Sequence, residues 1–270
     1  TLAKGSSYSL PGVRDAEGYT FMGWSTKPMQ SVSPQYEAEE KITVNGNVDL
    51  YAVVFNRTTE TDLTEDQLPQ VDIYKYKQVI FVGDSRTEFM ENVLTGMGES
   101  ATKNVKFVCS AGKGLDWFTT TGWAQLYSIV QHDSNSILSK KTAVIFNFGV
   151  NDLSKSADYA EYYNWIAPQL KSKGCELYFM SVNPVNRLML PNAGRADRSE
   201  AAVRSFNQYM KANLSSAYTY IDMYSYLKST GYSFASDHYG TGTVDDGLHY
   251  TTRTYKRIFA KCMDSLRVPA

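Results

Sequence analysis

Cysteine is scarce in this 270-residue chain: Cys109, Cys175 and Cys262 fit no metal-binding spacing and cannot all pair. Neither a zinc site nor a disulfide scaffold is expected, and no metal or organic cofactor is called for. Cys109 ends a strand-like segment and Cys262 lies on a helical apolar stripe, so buried free thiols are expected instead. Long hydrophobic runs are also missing. Nothing approaches the roughly 20 apolar residues that span a bilayer, so no membrane insertion is expected, and no secretory leader is visible. Residue 1 falls inside what reads as a strand-rich module, which implies further sequence upstream. Excess charge is absent too: 27 Lys and Arg against 28 Asp and Glu leave a formal charge of −1. That balance gives no electrostatic footprint for nucleic acid. Only three histidines occur, His132, His238 and His249. His132 lies in a polar stretch and reads as a surface residue, and His238, on the same long loop as His249, reads as a rim residue.

What is present suffices for a sizeable core, with 43% hydrophobic and 13% aromatic residues. From about residue 77 onward, short β-rich runs at 78–82, 105–109, 143–148, 176–182 and 218–221 alternate with segments of helical period at 86–94, 157–173, 200–214 and 252–266. That alternation predicts a parallel sheet covered on both faces. The first 55 residues read differently. Gly18-Tyr19-Thr20-Phe21-Met22-Gly23-Trp24 and Val48-Asp49-Leu50-Tyr51-Ala52-Val53-Val54 alternate in the period of strands, no long helix fits, and no second copy of the module is found. Between the regions, 56–70 is rich in Thr, Glu and Asp and reads as a solvated linker.

Four segments carry chemistry. Gly83-Asp84-Ser85 follows the apolar run Val79-Ile80-Phe81-Val82, so a strand would deliver the Ser85 hydroxyl to the carboxyl edge of the sheet, where ligands of open α/β folds bind. Asp246-Gly247-Leu248-His249 offers an imidazole with a carboxylate three residues before it. A serine hydroxyl needs such a base to lose its proton, and the base needs a fixed acceptor to hold its tautomer. Asp246 suits that role, and Asp245 is a possible substitute. Gly112-Lys113-Gly114 and Gly149-Val150-Asn151-Asp152 supply backbone and amide N–H donors. With the N–H of Ser85, those of Gly114 and Asn151 form a candidate oxyanion hole, with Gly112 an alternative to Gly114.

In these four blocks the chain resembles the SGNH or GDSL hydrolases over residues 77–266. The resemblance implies a flavodoxin-like three-layer α/β sandwich with a parallel five-stranded sheet. It makes Ser85 the nucleophile, His249 the base, Asp246 the third triad member, and Gly114 and Asn151 the oxyanion donors. The second block departs from the family's usual initial Asn and reads Cys109-Ser110-Ala111-Gly112-Lys113-Gly114. Arg86 stands where many relatives carry an aliphatic residue, which marks it as a candidate substrate-binding residue and hints at a polar substrate. Residues 1–55 resemble the Listeria-Bacteroides repeat, the internalin B-repeat type of small β-grasp-like module. Against that pattern the first strand is expected to be missing or cut short. That likeness implies an exported protein of a bacterial, Gram-positive surface. The expected organisation is a β-rich module at 1–55, a linker at 56–74 and a catalytic domain at 75–270. The expected activity is hydrolysis of O-acyl, chiefly O-acetyl, esters of an extracellular carbohydrate. A lipase-like, thioesterase or acyltransferase relative and an inactive glycan-binding surface protein are the alternatives.

Overall fold

A computed structural model describes residues 3–30, 32–72, 75–133, 140–235 and 245–266. Its largest sheet has five parallel strands, β5 (Tyr76–Gly83), β6 (Val105–Cys109), β7 (Lys141–Asn147), β8 (Cys175–Met180) and β9 (Tyr218–Ile221), in the spatial order β6-β5-β7-β8-β9. Val79, Ile80, Phe81 and Val82 are all at most 1% exposed. Burial of consecutive residues, not of alternate ones, requires cover on both faces, and this is why these strands read as unbroken apolar runs. The helices supplying that cover are α1 (Ser85–Met97), α4 (Ser156–Ser172), α5 (Glu200–Asn213) and α7 (Thr252–Ser265). Phe81 and its register partner Ile145 share one face, where the Phe259 ring of α7 lies tilted, its centroid 5.8 Å from that of Phe81. Val82 and its partner Phe146 share the other, where Tyr163 of α4 lies 4.8 Å from the Phe146 ring. The result is the three-layer, flavodoxin-like arrangement expected from the sequence.

The order in which strands are added across the sheet reverses between β5 and β7, the crevice where doubly wound folds bind ligands. Gly83 of β5 pairs in register with Asn147 of β7 and with Cys109 of β6, so three loops leave the sheet at one edge. Two helical segments were not marked by periodicity. α2 (Leu115–Trp117) runs through a π-helical turn at Phe118–Gly122 into α3 (Trp123–Asp133), and α6 spans Met223–Thr230. The π turn breaks the 3.6-residue period that reveals a helix. Part of the tyrosine content is core: Tyr76, Tyr159, Tyr163, Tyr232, Tyr250 and Tyr255 are all under 2% exposed. None of the three cysteines forms a disulfide; Cys175 and Cys262 are buried as expected, whereas Cys109 is only half-buried.

By compactness the chain divides into two units, one of residues 62–182, 205–223 and 255–270 that contains this sheet, and one of residues 1–61, 183–204 and 224–254. In the second unit β1 (Ser6–Ser9) pairs with β3 (Lys41–Val44) and β2 (Tyr19–Ser25) with β4 (Tyr51–Asn56), both antiparallel. β1 is polar and mostly exposed, so it carries no alternation to betray it. A bulge interrupts β2 between Phe21 and Gly23. There φ is +145°, and a Cβ at Gly23 would lie 2.4 Å from the Tyr36 carbonyl oxygen.

These β residues pack directly on the later segments of the same unit. Thr20 donates its hydroxyl to the Tyr232 carbonyl (2.8 Å), and the Phe55 ring fills the space a Gly231 Cβ would need. Lys228 of α6 donates to the Met22 carbonyl (2.7 Å) and pairs with Glu37 (2.9 Å) and Glu200 (2.8 Å). The acidic stretch 56–70 is not all solvated: Glu60 is buried and accepts hydroxyl bonds from Ser233 (2.6 Å) and Thr254.

Asp15 is a strongly perturbed carboxyl. Burial, then the negative charge of Asp245, lifts it from 3.8 to about 7, against the opposing effects of the Phe21 N–H, Arg57 and Asn186. The unfolded chain releases that proton near 3.8, so the folded state binds more protons between the two values. The contribution is therefore fully present below about 4 and is lost as pH rises through about 7. Asp15→Asn should flatten this part of the stability profile. Urea unfolding of both proteins from pH 5 to 8 checks it, and parallel curves would contradict the assignment.

Candidate active site

β5 passes into α1 within two residues, and this abrupt turn sets Ser85. Asp84 is the helix N-cap: its side chain accepts from the Arg86 N–H (3.0 Å), and its carbonyl accepts from the N–H groups of Thr87 and Glu88. Ser85 is thus the first helical residue, at the end of α1 where unsatisfied N–H groups favour negative charge. Gly83 is required by close approach, since a Cβ there would lie 2.0 Å from Thr87 Oγ1 and 3.0 Å from the Asn147 carbonyl oxygen. Ser85 is 6% exposed and Arg86 3%. The guanidinium is therefore as enclosed as the serine itself.

The glycine and asparagine blocks meet at the same sheet edge. Asn151 Nδ2 donates to the Lys113 carbonyl at 2.8 Å, which uses one of its two hydrogens and orients the amide. Asp152 makes the junction rigid: Oδ2 accepts from the Leu115 N–H (2.9 Å) and Oδ1 from the Tyr159 hydroxyl (2.7 Å). A Cβ at Gly114 would lie 2.3 Å from Asp152 Oδ2, so only glycine fits beside that carboxylate. Gly112 has open space but φ of +69°, so its constraint is conformational. The sequence marks Asp152 only as part of a motif. Leu115 lies 37 residues before it and Tyr159 seven residues after it on α4, and residue type and spacing alone mark neither as a partner.

Asp246 and His249 lie in the unit of residues 1–61, 183–204 and 224–254, whereas Ser85, Gly114 and Asn151 lie in the other. His249 Nδ1 bonds to Asp246 Oδ2 at 2.6 Å, and Asp246 Oδ1 accepts from the N–H groups of Leu248 (2.9 Å) and His249 (2.8 Å). Burial by itself would raise the Asp246 carboxyl. The hydrogen bond and charge of His249 and the two backbone N–H groups outweigh it and hold the group below 3.8. Arg195, not identified from sequence, donates Nε to the same Asp246 Oδ2 at 3.2 Å. Asp245, the alternative acceptor, turns elsewhere: Oδ1 accepts from the Gly247 N–H (3.0 Å) and Oδ2 pairs with Arg57 (2.5 Å). His238 lies outside the described residues, as does the side chain of His132.

An imidazole held by an ionised carboxylate is built to accept a proton. An amide clamped beside a glycine turn offers N–H groups that can stabilise negative charge on oxygen. Asn151→Ala should lower kcat on p-nitrophenyl acetate by about 10²- to 10³-fold with little change in KM. Steady-state kinetics check this, and an unchanged kcat would remove Asn151 from the oxyanion site.

Comparison with known proteins agrees with this chemistry. Residues 1–53 match the Listeria-Bacteroides repeat domain, and residues 34–262 match the GDSL-like lipase/acylhydrolase model. No curated protein matches the chain. Similar solved structures include a Slackia heliotrinireducens protein assigned to the SGNH hydrolases, with 14% identity, covering 71% of this chain and 100% of that one at a TM-score of 0.49. An acetyl xylan esterase shows 11% identity, 71% and 100% coverage and a TM-score of 0.45. The catalytic domain of a Streptococcus pneumoniae peptidoglycan O-acetyltransferase shows 16% identity, 71% and 92% coverage and a TM-score of 0.40. With more than half of its length matched by the family model, the chain belongs to the GDSL-like lipase/acylhydrolase family.

Proposed function

We propose that this acylhydrolase is a serine esterase that removes O-acyl groups, chiefly acetyl, from an extracellular carbohydrate or cell-wall glycan. In the reaction, His249 takes the Ser85 proton as Oγ attacks the ester carbonyl. The N–H groups of Ser85 and Gly114 and the Asn151 amide stabilise the resulting oxyanion. His249 then returns the proton to the departing sugar hydroxyl, leaving acyl-Ser85. Water, deprotonated by His249, then attacks the acyl carbonyl, and the proton passes from His249 to Ser85 Oγ as the carboxylic acid is released. Only neutral imidazole accepts a proton, so the rate should rise with pH along a single ionisation. The observation that carries the reading is the 2.6 Å bond of His249 Nδ1 to the buried, ionised Asp246.

A polar substrate is favoured by the 183–204 segment, which follows β8. It presents Arg187, paired with Asp197 through Nε (2.6 Å) and Nη2 (2.7 Å), and Arg195. An exported location at a bacterial surface is supported by the repeat match at residues 1–53. The test is acetate release from acetylated xylan, acetylated peptidoglycan and aryl esters. Acetate release from a glycan is expected; much faster cleavage of long-chain than of acetyl p-nitrophenyl esters would overturn the substrate class.

A further inference from the structure

Two chains of bonds run from the β-rich module to the turn that carries the base, and they close into one ring. On the first path, Arg57 Nη2, just after β4, pairs at 2.5 Å with both Asp15 Oδ2 and Asp245 Oδ2, and Asp245 Oδ1 accepts from the Gly247 N–H at 3.0 Å. On the second, Asp15 Oδ1 accepts from Asn186 Nδ2 at 2.8 Å, and the Asn186 N–H donates to the Gly247 carbonyl at 2.8 Å. Gly247 is therefore held at both its N–H and its carbonyl. It has no slack, because φ is +64° and a Cβ would lie 2.3 Å from the Asn186 carbonyl oxygen. His249 follows two residues later. The ring is enclosed, with the Asp15, Asp245 and Arg57 side chains only 1%, 13% and 20% exposed.

We propose that Arg57 is a positioning residue for His249, acting through Asp245 and Gly247, so that the amino-terminal module is a working part of the esterase site and not a separable appendage. The inference rests on the reading of His249 as the base. Arg57 neutralises two carboxylates that would otherwise repel across the ring, and it holds Asp245 in the orientation that caps Gly247. Loss of the guanidinium frees one side of the turn, and a displacement of about 1 Å in a catalytic group can cost about 10²-fold in rate.

The experiment uses the full chain with p-nitrophenyl acetate. Ser85→Ala first tests the underlying reading: wild-type turnover that Ser85→Ala leaves intact would refute the esterase mechanism itself. Given Ser85-dependent turnover, Arg57→Ala should lower kcat by about 10- to 100-fold with KM within about threefold. It should also shift or broaden the downfield proton resonance of His249 Nδ1–H, assigned by its loss in His249→Ala. Arg57→Lys, which keeps a cation in reach of both carboxylates, should restore part of kcat. Wild-type kcat with an unmoved resonance in Arg57→Ala would overturn the proposal. Should Arg57→Ala fail to fold, Asp245→Asn replaces it. That change keeps an acceptor for the Gly247 N–H but removes the charge Arg57 holds, so the same loss of kcat is expected, and wild-type kcat would refute the role of Arg57.

Discussion

Ser85→Ala is expected to reduce kcat on p-nitrophenyl acetate by about four to six orders of magnitude while leaving the protein folded. The size follows from the unit action of nucleophile, base and carboxylate: without the hydroxyl no acyl-enzyme forms, and what remains is the modest rate that oxyanion donors and binding provide. The fold should survive because Ser85 is not the cap of α1. Asp84 makes the capping bond to the Arg86 N–H, and alanine is an excellent first-turn residue. His249→Ala should cost nearly as much. The double variant should be hardly worse than either single one, since each removes the same reaction path. Kinetics with thermal unfolding as a control measure this, and a Ser85→Ala enzyme within tenfold of wild type would end the serine mechanism.

Lys228→Ala is expected to destabilise the fold by about 3 to 5 kcal/mol. Lys228 is 4% exposed. Burial opposes its charge, but the carboxylates of Glu200 and Glu37 and the Tyr224 ring and hydroxyl more than offset this and raise its proton affinity. Removing the ammonium strands part of the Glu200 and Glu37 charge, with Arg204 still beside them, and takes the Nζ–H donor from the Met22 carbonyl. The cost arises from that stranded charge, so adding Glu200→Gln to Lys228→Ala should recover part of the loss, a coupling that distinguishes it from simple cavity formation. Urea unfolding measures both variants. A loss below about 1 kcal/mol would show that the cluster relaxes into water.

The five strands of the main sheet and α1, α4, α5 and α7 were legible because each declares itself locally. Val79 to Val82 form an apolar run that only a doubly covered strand needs, and Asp84 is a cap directly before a helical pattern. The pairs that were not legible have no local signature. β1 is a strand only because Ser6 to Ser9 bond to Val44 to Lys41, and the helix after Gly114 is disguised by its π turn. The stretch 56–70 looked solvated because Glu60 is charged; its burial depends on hydroxyls of Ser233 and Thr254, more than 170 residues away.

The same division holds at the candidate site. Sequence alone determined which side chains are chemically able to act: a serine after a strand, an imidazole with a carboxylate three residues earlier, an asparagine and glycines at strand ends. Those features depend on residue type and spacing, which the chain states directly. Only the tertiary structure decided that Asp246 rather than Asp245 holds His249, that Asp152 locks the glycine turn to Asn151, and that Arg195 and Arg57 bear on the two carboxylates. Such choices turn on distances of 2.5 to 3.2 Å, between near neighbours for Asp246 and His249 and between groups 37 to 188 residues apart for the others, and those distances come into being only when the chain has folded.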